Sequence, residues 1–215
     1  MNLEEVINLK KETIIKKEDT NNKAMFLQRL VAYLIDSAIV VFIASLISVP
    51  FINNDKVSDL NDKSYELIEK YRSNKISNNE YIAEYMNISY DLAKSEGIVT
   101  LISAVTGLIV FAVIPFYKNG QTLGKKLLKI KTVSKVGDLS MNQLVFRSFI
   151  ANSILLNLIS VVLIMISSKN SYFYCYGMFT IIQYIVTAIS IFMIIVSKDG
   201  RAVHDRIVGT KVIKI

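Results

Sequence analysis

Four long apolar stretches, separated by charged segments, dominate the pattern of this chain of 215 residues. They cover about 30–52, 98–117, 148–168 and 171–197. Each is close to the 20 or so apolar residues that a helix needs to cross a bilayer. The pattern predicts an all-α membrane protein, built as a four-helix transmembrane bundle.

The connection between the first two spans, 53–96, is long enough to have a structure of its own. Apolar residues recur there at helical spacing, and Ser77 followed by Glu80 is a capping-box pattern. We predict a helical hairpin at about 57–73 and 78–95. It is an outer insertion, which either senses an external signal or simply caps the bundle.

The other segments are shorter. Residues 129–133 and 210–213 alternate polar and apolar side chains, which favours short strand-like segments. Residues 1–24 form a separate cytoplasmic segment before the transmembrane domain, 25–215. Within it, 3–17 is either an amphipathic helix on the membrane surface or a solvated tail.

The charges indicate an orientation for the spans. Segment 118–147 has seven basic residues against one acid, and 198–215 has five against two. The loop 53–96 has six basic residues against nine acids. The positive-inside rule then places both termini and the basic segments in the cytoplasm and the hairpin outside. The net charge of +7 is therefore explained by the basic segments on the cytoplasmic side of the membrane. We expect no nucleic acid partner.

Several kinds of chemistry have little support in the sequence. One Cys and one His cannot form a usual four-ligand zinc site, so we expect no metal and no cofactor. Residues 120–125, GQTLGK, superficially resemble a phosphate-binding loop. They have three residues between the glycines instead of four, and no Ser or Thr follows Lys125. We expect no nucleotide site and no enzymatic activity.

Two charges stand out in the first span. Arg29 and Asp36 are seven residues apart, so they share a helix face, with the aspartate about 10 Å deeper. Placing a charged carboxylate at that depth in a bilayer is unfavourable in free energy, so its presence there requires an explanation. Either it is locked structurally to Arg147, Arg201 or Arg206, or it titrates and carries protons.

Three separated patterns resemble one family. They are RLVAYLID at 29–36, GQTLGK at 120–125, and RAVHD at 201–205 with Gly209 and Thr210 following. The chain resembles the RDD family of bacterial membrane proteins, named for one arginine and two aspartates. The resemblance identifies these three as Arg29, Asp36 and Asp205. Supporting positions are Gly120, Thr122, Gly124, Lys125, Arg147, Arg201, His204, Gly209 and Thr210.

The resemblance implies a multi-pass protein of the bacterial cell membrane. It also implies two alternative functions. One is transport of a small ion or solute, of the cation/proton exchange type, with Asp36 as the protonatable site. The other is regulation or scaffolding of another membrane protein. The expected partners are the lipid bilayer and either a second copy of the chain or a different membrane protein; the ligand is not specified.

Overall fold

The computed structural model describes residues 22–215, so the helix predicted at 3–17 lies outside the described residues. The described chain is mostly helical, with one pair of strands. The helices are α1 (Phe26–Ser48), α2 (Asn54–Arg72), α3 (Asn78–Ser95), α4 (Gly97–Leu108), α5 (Ile114–Tyr117), α6 (Leu123–Leu127), α7 (Met141–Ala151), α8 (Ile154–Ile166), α9 (Lys169–Val196) and α10 (Val203–Ile207). The strands are β1 (Ile130–Ser134) and β2 (Thr210–Lys214).

Three helical stretches of the described chain are long and apolar enough to cross a membrane. They are Phe26–Phe51, Gly97–Tyr117 and Lys169–Val196, with mean hydropathies of 2.4, 2.5 and 2.3. They correspond to the first, second and fourth predicted spans. The third predicted span, 148–168, is not one continuous helix. Helices α7 and α8 pass the same test only as a pair, and a bend of 70° separates them.

The break between α7 and α8 has a local cause. Asn152 leaves the helical conformation at φ −115° and ψ 17°, and Ser153 follows at φ 55° in the left-handed region. Asn is one of the few residues other than Gly that ends helices readily, and Ser competes for backbone hydrogen bonds. The sequence signal was this pair of adjacent polar residues, Asn152 and Ser153, within the apolar run.

A second irregularity occupies the C-terminal part of the Gly97–Tyr117 stretch. Residues Ile109–Val113 form a single π-helical turn directly before Pro115. Proline cannot donate a backbone hydrogen bond, and its ring collides with the carbonyl four residues earlier. The wider turn moves that carbonyl aside, so the helix continues to Tyr117.

The chain divides into two compact units. Of the described residues, the first comprises 22–39, Gly107–Asn152 and Tyr184–Ile215, and the second comprises Val40–Thr106 and Ser153–Gln183.

A small antiparallel sheet organises the first unit. The two segments predicted to be strand-like form β1 and β2, with Thr132 opposite Val212 in the register. Lys23 forms a bridge to Ile213 on the other side of β2, and Ala24 donates its N–H to the carbonyl of Val212 at 3.1 Å. The inward positions of the strands pack on α1.

The buried apolar cluster of this unit is compact, consisting of Ala24, Ala32, Ile130 and Val212, with Leu128 against it. Helix α7 begins beside the sheet with a complete capping box between Ser140 and Gln143. The Gln143 amide also donates to the carbonyl of Val208 at 2.9 Å and to the hydroxyl of Ser134 at 3.1 Å. The start of α7 is thereby tied to β1 and to the turn that precedes β2.

The second unit contains the helical hairpin of α2 and α3. The two helices pack together with Leu60 and Leu67 buried, and the predicted capping box of Ser77 and Glu80 is present. Helix α3 contacts α8, and Tyr90 donates to the carbonyl of Ser167 at 3.1 Å. Tyr90 also meets the ring of Tyr172 edge-on, with centroids 5.7 Å apart.

Candidate functional site

The first polar centre of the first unit lies around Asp36, which is 1% exposed. One carboxylate oxygen accepts a hydrogen bond from the hydroxyl of Thr122, and the other accepts the backbone N–H of Gly124 at 2.7 Å. Thr122 is the N-cap of α6, and its hydroxyl in turn accepts the N–H of Lys125 at 3.2 Å. A carboxylate from the first span is thus bound to the beginning of α6. We call Asp36, Thr122, Gly124, Lys125 and Thr132 the Asp36 site.

The two glycines of the GQTLGK pattern make this geometry possible. A Cβ on Gly124 would lie 2.2 Å from the carbonyl oxygen of Ala32, so only glycine lets α6 approach α1 closely enough. Gly120 has φ +81°, and a Cβ there would lie 1.8 Å from the carbonyl oxygen of Thr132. Both glycines are therefore required by close backbone contacts.

Lys125 completes the Asp36 site. Its residue is 9% exposed, and its amine donates to the hydroxyl of Thr132 at 2.9 Å. Among residues 22–215, no carboxylate lies within ion-pair distance of this amine. Burial lowers the pKa of Lys125 to about 7, with the charge of Arg147 acting in the same direction.

The second centre lies around Asp205, whose side chain is fully buried. One oxygen accepts from Arg147 Nε at 2.9 Å and from the hydroxyl of Thr210 at 3.1 Å. The other accepts from Arg29 Nη1 at 3.3 Å and from the N–H of Ala202 at 3.4 Å. The carboxylate therefore has four donors, two of them charged. We call Asp205, Arg29, Arg147, Ala202 and Thr210 the Asp205 site.

The electrostatics of the Asp205 site follow from its two arginines. Burial alone would raise the pKa of Asp205, but the positive charges of Arg147 and Arg29 hold it well below its usual range. His204 lies beside them, with its Nε2 atom 3.5 Å from Arg147 Nη2. Burial, reinforced by Arg147, lowers the pKa of His204 to about 3, so this ring is neutral at physiological pH.

Arg201 and the final turn hold the Asp205 site in place. Arg201 donates to the carbonyl of Asp205 at 2.9 Å and to the carbonyl of Thr210 at 3.0 Å. Gly209, at φ +71°, turns the chain into β2, and its carbonyl accepts the N–H of Lys135. Arg29 Nη2 donates to the carbonyl of Val212 at 3.2 Å, so one arginine joins the first span to β2.

The structure thus divides the predicted site residues between two neighbourhoods of the first unit. The predicted locking of Asp36 to an arginine is wrong. Arg147 binds Asp205, Arg206 binds Asp199 at 3.0 Å, and Arg201 binds backbone carbonyls and Asp199. Arg29, on the same helix as Asp36, also binds Asp205.

Sequence reasoning missed one member of the site, Thr132. It is 1% exposed and accepts the only hydrogen bond that the structure gives for the Lys125 amine within the described residues. Its signal was the strand alternation, because Ile130 and Thr132 fall two residues apart on the inward face of β1. A polar residue at an inward position indicates a buried polar partner.

The comparisons with known proteins give one result. A sequence model of the RDD family matches residues 23–209, which is most of the chain and includes both centres. No curated protein and no solved structure matches the chain significantly.

Proposed function

This chain belongs to the RDD family, and we propose that it exchanges a small cation for protons across the bacterial cell membrane. Asp36 is the carboxylate at which the exchange takes place. One observation carries the proposal. Asp36 is buried on a membrane-spanning helix, and the structure gives it neutral hydrogen-bond donors where Asp205 has two arginines. Intramembrane carboxylates of this kind are typical of ion and proton pathways.

The proposal includes a topology. The bent pair α7 and α8 counts as one span, which gives four spans with both termini in the cytoplasm. The excess of basic residues in 118–147 and 198–215 supports this orientation. With Cys175 replaced, a Glu84→Cys tag should react with an impermeant reagent on intact cells, and a Lys135→Cys tag should not. Labelling of the second tag from outside would refute the orientation.

Reconstituted liposomes containing a pH-sensitive dye test the exchange. An inward cation gradient should drive proton efflux through the wild-type protein. Asp36→Asn should abolish this flux while the protein stays folded, because Asn keeps both hydrogen bonds. Its oxygen can accept the Gly124 N–H, and its amide can donate to the Thr122 hydroxyl, which is both donor and acceptor. Asp199→Asn is the matched control, since the side chain of Asp199 is 45% exposed.

A wild-type protein without cation-dependent flux would refute the exchange and favour the alternative, a regulator of another membrane protein. The hairpin of α2 and α3 supports that alternative. It exposes Tyr65, Tyr71 and Tyr85, which are 70%, 41% and 48% accessible. Aromatic residues of this kind are enriched at protein interfaces. Stoichiometric co-purification of one membrane protein, lost on replacing these tyrosines, is the result expected of a regulator.

A further inference from the structure

The amine of Lys125 is the most unusual polar group of the first unit. It belongs to the five-residue helix α6, whose neighbouring Lys126 is exposed, whereas Lys125 is buried. A protonated amine has three donors to satisfy, and a neutral amine has two donors and one acceptor site. The structure gives this amine one hydrogen bond within residues 22–215, to the neutral hydroxyl of Thr132. That environment is poor for a permanent positive charge.

The charges that face Lys125 come from three helices. Helix α1 contributes Asp36 and Arg29, α7 contributes Arg147, and α10 contributes Asp205. The two aspartates favour the protonated amine, and burial and the two arginines oppose it, with burial the largest effect. The balance places the pKa of Lys125 at about 7. Its protonation therefore changes over the pH range in which a cytoplasm operates.

Asp36, in contrast, has a polar partner for each of its oxygens. Each of its oxygens accepts a hydrogen bond, from the Thr122 hydroxyl and the Gly124 N–H.

We propose that Lys125 is the residue that gains and loses the proton in this site. The inference rests on the proposed exchange and specifies where its proton is held. When the amine is protonated, it balances the charge of Asp36. When the amine releases its proton to water, the negative charge of Asp36 is no longer balanced by a positive charge on Lys125. One monovalent cation can then bind in place of the proton, and the net charge of the site is the same as before. The exchange that follows is one cation for one proton.

Lysine labelled with ¹³C at Cε tests the proposal directly, because the chemical shift of this carbon follows protonation of the amine. The signal of Lys125 is assigned by its loss in Lys125→Met. In wild-type protein in nanodiscs, we expect it to titrate near pH 7. The signal of Lys126, which is exposed, is recorded in the same spectra as the internal control. A Lys125 signal that shows no titration near pH 7 would overturn the proposal.

Flux measurements form the second arm. Lys125→Met should reduce cation-driven proton flux to the level of empty liposomes, and Lys126→Met should retain it. Lys125→Arg, which keeps a permanent charge, should be equally inactive. Retained flux in Lys125→Met would overturn the proposal even if the signal titrates near pH 7. If wild-type protein shows no flux at all, the proposed cation/proton exchange is refuted. The titration of the Lys125 signal in wild-type protein then still decides whether Lys125 binds and releases a proton.

Discussion

Asp36 and Asp205 are both completely buried carboxylates in the same unit, yet their partners differ in charge. Asp205 has two arginines, a threonine hydroxyl and a backbone N–H. Asp36 has one hydroxyl and one backbone N–H. A carboxylate held by arginines is fixed in its charge state and position, and one held by neutral donors can respond to a nearby change of charge. Burial alone therefore does not separate a structural acid from a functional one.

The largest expected effect is on the Asp205 site. Asp205→Asn removes the charge opposite Arg29 and Arg147. In either orientation its amide NH2 group would face one of these arginines, which cannot accept a hydrogen bond. Breaking a buried pair in this way costs about 3–5 kcal/mol of unfolding free energy. Asp36→Asn should cost much less, because both of its hydrogen bonds can be kept. Thermal unfolding in one detergent measures both variants, and equal losses would remove the distinction between the two sites.

An intermediate effect is expected where α6 meets α1. In Gly124→Ala the new Cβ would lie 2.2 Å from the Ala32 carbonyl oxygen, a backbone atom that cannot rotate away. We expect a loss of about 1–3 kcal/mol from overpacking, together with loss of flux as the Gly124 N–H moves away from Asp36. Gly177→Ala is the control, because nothing lies within 4 Å of a Cβ there. A Gly124→Ala protein as stable as the Gly177→Ala protein would show that α6 does not approach α1 so closely.

The smallest expected effect concerns His204 in acid. Its pKa is lowered to about 3 in the folded protein from an ordinary value of 6.5. Between these values the unfolded chain binds more protons, so stability falls as the pH falls. Between pH 6 and pH 5, His204 lowers the free energy of unfolding by about 1 kcal/mol. This decrease should be absent in His204→Gln. Unfolding midpoints at pH 6 and pH 5 measure this difference between the two proteins. Both pH values lie above the range in which Asp205 becomes protonated. An equal decline in both proteins would contradict a neutral His204.

The sequence predicted most of the helical framework, because long apolar runs and capping boxes are local signals. It failed at 148–168, where hydropathy alone treats Asn152 and Ser153 as part of a span, although their backbone preferences end a helix. The family resemblance brought Arg29, Asp36 and Asp205 together in the sequence analysis. It could not show which aspartate the arginine binds, since that depends on how the 201–210 segment folds back on α1.

That folding back also sets an order of assembly. Arg29 and Arg147 reach the membrane with the first and third apolar stretches, but Asp205 and β2 follow every other part of the Asp205 site along the chain. During synthesis, the two arginines therefore lack their ion-pair partner until Asp205 has been made. Long basic side chains can meanwhile extend to the lipid phosphates. The Asp205 site can therefore be completed only after β2 has been synthesised.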